Sequence, residues 1–225
     1  MNNLGKKAFG GLLVLVIVLG VVLFFSAGTV NYWQAWVYIT IFFISAGTIT
    51  LYLLTKDAAL LQRRLTAGPG GEKEKTQKTI QSIAQLAFIA LYLISGLDHR
   101  YTWSTVPLPA VIAGDILVGF GFCIVFMVFK ENTFTSATIE VDDTQTVTST
   151  GPYSIVRHPM YSGALIMLIG SPVALGSWWA LIAFIFITAV IVWRLLDEEK
   201  FLSANLDGYT EYCYTVHFRL IPGIF

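Results

Sequence analysis

The sequence predicts an all-α, polytopic membrane bundle of about six membrane helices that ends in a helical hairpin. Three observations carry this. Of 225 residues, 56% are apolar and only 12% are charged, and the mean hydropathy is +0.70. So few charges cannot coat a soluble domain of this size, and the bilayer has to act as solvent. The apolar residues fall into runs of span length separated by short polar links. The basic residues also fall almost entirely on one side when the runs are threaded as spans.

The first run, "AFGGLLVLVIVLGVVLFF", follows Lys6 and Lys7 and is longer than the core of a cleaved signal peptide, so it reads as a retained signal-anchor helix. A link bearing Tyr32, Trp33 and Trp36 suits an aromatic belt and leads into a second span over about 35–54. Residues 55–79 form a polar loop around the turn signal "GPGG". A third span over about 80–97 leads through "DHRYTWSTVPLP" to a fourth over about 108–129, and the polar segment 130–156 follows. The last apolar region, 161–193, exceeds one span but falls short of two; "GSPVALGS" in its middle marks the turn of a short hairpin. The chain divides into an N-terminal membrane portion, 1–106, and a C-terminal core, 107–225.

With the N-terminus in the cytoplasm, thirteen of fourteen basic residues lie inside and Arg100 alone lies outside. The expected location is therefore a cytoplasmic, inner membrane. Both ends of the hairpin, "GPYSIVRHPMY" at 151–161 and "RLLDEEK" at 194–200, then meet on the cytoplasmic face. Zero net charge argues against a nucleic-acid partner, and two distant cysteines with histidines at 99, 158 and 217 show no metal-ligand spacing. No metal is expected.

The hairpin ends carry the candidate chemistry. Arg194 and Glu198 share a helix face at i, i+4, with Glu199 a quarter-turn further round. Arg157 and His158 stand at the entry to the fifth span, Pro159 suits the first turn of a helix, and Tyr161 follows one turn on. For each residue alone, a snorkelling interfacial belt explains the pattern as well as a site does. Their concentration at one pair of helix ends favours a polar ligand.

"TGPYSIVRHPMYSG", then "WRLLDEEKFL" and "YTEY…RLIPG", resembles the C-terminal half of the isoprenylcysteine carboxyl methyltransferase and phospholipid methyltransferase group of integral membrane enzymes. The resemblance covers about residues 119–223. It implies a methyltransferase that takes S-adenosylmethionine from the cytoplasmic side and a lipophilic acceptor from the bilayer, either a prenylcysteine-like carboxylate or a lipid amine. By motif position the cofactor pocket would draw on Gln145, Thr146, Val147 and Thr148, on Tyr153, on His158, Pro159, Met160 and Tyr161, and on Glu198 or Glu199. Arg194 would face the acceptor, Arg157 would orient either pocket or substrate, and Glu198 could take a proton from an amine.

The chemistry agrees on independent grounds. A ligand with a sulfonium, an ammonium and a carboxylate wants carboxylates, a hydrogen-bonding cation and aromatic faces. The main alternative is an NADPH-dependent membrane sterol or steroid reductase, whose similar RHPNYxGE-type motif is met here with Met160 for the Asn and Ala164 for the Glu. A non-enzymatic scaffold is the third reading.

Some residues keep two readings. "GFG" at 119–121 matches a glycine pair near the cofactor in the phospholipid enzymes, or lets helices pack closely. Ser162 and Gly163 allow a helix or a cofactor to approach. Asp115, in the outer half of its span, reads as a structural partner or part of a water-lined groove. "SWW" at 177–179 reads as interfacial anchoring, and His99 and His217 as ordinary loop residues.

Overall fold

The computed structural model describes residues 3–65, 75–135 and 145–225. Among them are eight α-helices and no strand: α1 (Asn3–Ala27), α2 (Trp33–Lys56), α3 (Ala58–Arg64), α4 (Lys75–Tyr101), α5 (Leu108–Glu131), α6 (Pro159–Ala174), α7 (Leu181–Asn205) and α8 (Tyr209–Thr215). A 3-10 turn at Gly151–Ser154 precedes α6. The "GPGG" turn, Lys73 and residues 136–144 lie outside the described residues.

Helices α1, α2, α4 and α5 are each long and apolar enough to cross a membrane. They expose Leu13, Val14, Phe25, Leu86 and Ile116, as lipid-facing helices must. The remaining two of the six expected membrane helices are shorter in their apolar parts. α6 has 16 residues, about 24 Å at 1.5 Å per residue. α7 is apolar only over its first half, Leu181 to Trp193, and its polar half carries Arg194 to Glu199 beyond the apolar layer. The hairpin turns at 175–180, where Gly176 adopts a φ of +75° that side chains disfavour. Within the 55–79 loop, α3 forms because Asp57 caps it, accepting from the Leu60 N–H at 2.9 Å.

Helices α5 and α6 meet along a seam of small residues seven apart on both helices. A Cβ at Gly121 would come 2.6 Å from the Gly163 carbonyl, and one at Gly170 would come 2.7 Å from the Gly114 carbonyl. Only glycine allows this approach. Of the two readings for "GFG", close helix packing describes Gly121; Gly119 faces open space. Gly163 likewise admits α5.

Buried hydroxyls tie the bundle where hydrocarbon could not solvate them. Tyr38 of α2 bonds Tyr92 of α4 at 2.7 Å and Ser171 of α6 at 3.0 Å. At the end remote from the basic residues, Tyr32 donates to the Leu175 carbonyl at 2.5 Å. Asp98, 1% exposed, accepts from the Ser104 N–H and hydroxyl and from Ser177. The serine of "SWW" thus ties α4 to the hairpin turn, while Trp178 and Trp179 are exposed. His99 is not a loop residue: it lies in α4, its ring stacked on Tyr32 at 3.9 Å between centroids. Asp115, half-buried in α5, has no hydrogen-bond partner for Oδ1 among the described residues.

Candidate active site

At the basic end, helices α3 to α8 enclose a cavity of about 520 Å³, a size suited to a nucleotide-like ligand. His158 serves as N-cap residue to α6 and Pro159 takes its first position, which leaves no unmet N–H there. The backbone N–H groups of Arg157 and His158 donate to the carbonyls of Phe218 and Arg219, both at 2.9 Å. Ser162 donates to the Leu220 carbonyl at 2.7 Å. The C-terminal segment is thereby strapped across the start of α6. Leu206, Tyr209, Tyr212 and Val216 pack with Val147 and Tyr153 to cover the cavity, and Tyr212 donates to the Tyr153 carbonyl.

Gln145, Thr146, Val147, Thr148, Tyr153, Arg157, His158, Pro159, Met160, Tyr161, Arg194 and Glu198 all line this cavity. Glu199 does not. It stands behind the wall, its Oε1 accepting from Arg157 Nε at 2.7 Å and lying 3.4 Å from His158 Nε2, while Oε2 accepts from Arg219 Nε at 2.7 Å. Burial pushes the Glu199 carboxyl up, but the hydrogen bonds from His158, Arg219 and Arg157 outweigh it and hold it down at about 2. Arg157 completes its shell on the Val216 and His217 carbonyls. The role of His217, read as an ordinary loop residue, is thus carried by its backbone.

A second chain of bonds crosses the cavity wall. Arg194 Nε donates to the Tyr161 hydroxyl at 3.1 Å, and Tyr161 donates to Glu198 Oε2 at 2.6 Å. Tyr153 receives a bond from Asn132 Nδ2 at 3.2 Å, and burial raises its phenol. The apolar part of the wall comes from Ile80 and Ala84 of α4, Phe122 and Val125 of α5, and Val190 and Ile191 of α7.

Among the contributors from the N-terminal portion, none of which the motif revealed, two bear on Arg194. Arg64 of α3 lines the cavity beside Met160, with Nη1 3.9 Å from its sulfur and the guanidinium 5.1 Å from the Phe129 ring centroid. Burial lowers its affinity for its proton, and neighbouring Arg194 lowers it further. Gln77 of α4, 2% exposed, accepts from Arg194 Nη1 at 2.9 Å and donates to Asp197. The only signal for either was membership of the basic and polar 55–79 loop.

The sequence pattern of the phospholipid methyltransferase family matches residues 109–207. Protein-S-isoprenylcysteine O-methyltransferase B of Arabidopsis thaliana is 32% identical over 119 residues, covering 52% of this chain and 56% of that protein. A probable protein-S-isoprenylcysteine O-methyltransferase of Oryza sativa subsp. indica is 28% identical over 192 residues, covering 82% of this chain and 94% of that protein. The match to the Arabidopsis protein thus spans about half of its length, whereas the rice match runs nearly end to end. These relatives lend no support to the reductase alternative. The helical bundle, the motif cluster at its basic end and these similarities point the same way: the C-terminal half of the chain is similar to the phospholipid methyltransferase family, and the chain as a whole is similar to plant protein-S-isoprenylcysteine O-methyltransferases.

Proposed function

We propose that this protein methylates a lipophilic acceptor carboxylate of the prenylcysteine type, using S-adenosylmethionine bound in the cavity at the basic end. The observation that carries the reading is the composition of that cavity: a polar, aromatic-walled chamber that continues into apolar side chains of three membrane helices. The positive-inside distribution supports a cytoplasmic orientation for it.

The donor set fits the cofactor. Glu198 supplies a carboxylate for an ammonium, Arg157 and His158 supply donors for a carboxylate, and Tyr153 and Tyr161 offer aromatic faces to positive charge. Backbone groups of 145–148 supply further donors and acceptors. The bound cofactor supplies a methyl group already activated for transfer. Glu199 holds Arg157 and His158 in place from behind the wall.

Arg194 and Arg64 face the acceptor. Two guanidiniums in one partly apolar chamber favour an anionic head group over an amine, since a like charge there would cost binding. The apolar lining receives the hydrophobic chain and excludes water from the transfer. The C-terminal core from residue 107 carries the cofactor side, and α3 and α4 complete the acceptor side.

Incubation of the purified protein in nanodiscs with N-acetyl-S-farnesylcysteine or phosphatidylethanolamine and a methyl-labelled cofactor tests the reading. Labelled methyl ester is expected from the first. Label in the amine lipid alone would overturn the carboxylate assignment.

A further inference from the structure

We propose that Gln77 is the residue that positions Arg194 for the acceptor, which makes α4 part of the transfer machinery although the matched family region begins only at residue 109. The inference rests on the methyltransferase reading above.

Gln77 is the one buried polar side chain in the first turn of α4, 2% exposed, and it faces α7. Its amide is read unambiguously by its partners. Arg194 can only donate and Asp197 can only accept, so Oε1 must face the guanidinium and Nε2 the carboxylate. Arg194 precedes three acids on its own helix, and two of them, Asp197 at i+3 and Glu198 at i+4, are within reach of a direct ion pair. Each acid is engaged elsewhere: Asp197 by Gln77, Glu198 by Tyr161, and Glu199 by Arg157, His158 and Arg219. Gln77 therefore bridges the guanidinium and Asp197. It fixes the plane of Arg194 through a neutral acceptor, as Tyr161 does at Nε.

Neutrality is the functional point. A glutamate at position 77 would also accept from Arg194, but it would add a negative charge that competes with an anionic acceptor and faces Asp197. An apolar residue would remove the acceptor at Arg194 Nη1 and the donor to Asp197 and let the two close on each other. Glutamine orients the fork without adding a charge of its own.

The test is a double-mutant cycle with N-acetyl-S-farnesylcysteine as acceptor and calorimetric binding of S-adenosylmethionine as control. Gln77→Leu should lower kcat/KM for the acceptor by roughly 10- to 100-fold, the loss of a hydrogen bond to a charged group, with cofactor affinity within about twofold. In an Arg194→Lys background the same change should cost less than about threefold, because the residue it acts through is already altered. Gln77→Glu, which keeps the acceptor towards Arg194, should raise KM for the acceptor more than it lowers kcat. Equal losses in both backgrounds, or a parallel fall in cofactor affinity, would overturn the role. If Gln77→Leu does not fold, the KM shift of Gln77→Glu decides, and an unchanged KM overturns the role. A wild-type protein that binds the cofactor yet transfers to neither a prenylcysteine carboxylate nor phosphatidylethanolamine would instead overturn the underlying reading and this inference with it.

Discussion

Replacing Glu199 by glutamine removes one charge from behind the cavity wall and should be felt both in stability and in cofactor binding. The Glu199 side chain is 12% exposed and those of Arg157 and His158 are each 6% exposed, whereas Arg219 is 34% exposed. The Arg219 pair is screened by solvent and contributes little. Arg157 is the partner that matters, since breaking a buried pair leaves an uncompensated charge at a cost of about 3–5 kcal/mol. Its two backbone carbonyl acceptors remain and moderate the loss. A carboxyl held at about 2 against an ordinary 4.5 corresponds to about 3 kcal/mol by linkage for His158, Arg219 and Arg157 together, an upper figure because the Arg219 bond is screened.

The sign follows from the depressed value. The clamp's contribution is fully present above about pH 4.5, declines as pH falls towards 2, and is constant through neutral pH. In nanodiscs, Glu199→Gln should therefore melt about 6–12 °C lower at pH 7. It should also bind S-adenosylmethionine more weakly, because Arg157 and His158 are loosened. Glu198→Gln, whose carboxylate lines the cavity, should weaken binding with little change in melting temperature. A Glu199→Gln protein that melts like wild type and binds the cofactor normally would refute the clamp.

Three further outcomes are expected. Gly121→Leu should abolish monodisperse protein on size-exclusion chromatography, because its Cβ meets the Gly163 carbonyl at 2.6 Å, while Gly119→Ala should be silent; equal behaviour would refute the seam. Asp98→Asn should cost about 2–3 kcal/mol, seen as a lower melting temperature, because an amide cannot accept all three bonds now made to the carboxylate. Arg194→Lys should leave cofactor affinity nearly intact while transfer falls, since lysine keeps the charge but loses the planar fork; calorimetry beside turnover separates the two.

The spans, the hairpin and its conjunction of polar ends were legible because each is written locally. Apolar run length marks the helices, "GSPVALGS" marks the turn, and a proline after His158 marks the start of α6. Helix spacing alone put Arg194 and Glu198 on one face, and both line the cavity. Glu199 shows the limit of that argument. A quarter-turn on a helix separates a residue that faces a cavity from one that faces two guanidiniums and an imidazole behind it, and only the position of the C-terminal strap decides which. Gln77 and Arg64 were illegible for a related reason: their partners lie 117 and 96 positions away in the chain. Asp98 and His99 lie within a polar stretch that looks like an ordinary interface crossing; Asp98 becomes buried and His99 stacked only because Ser177 and Tyr32 arrive from other elements. Gly119 and Gly121 carry the same local signal, and packing against α6 alone tells them apart.

The most direct test of the account is mass spectrometry after incubation of the protein in nanodiscs with trideuteromethyl-labelled S-adenosylmethionine and N-acetyl-S-farnesylcysteine. The account predicts a trideuterated methyl ester that forms with wild type and is strongly reduced with Glu198→Gln and Arg194→Lys. Saturable NADPH binding with no labelled product from either a prenylcysteine carboxylate or phosphatidylethanolamine would contradict it.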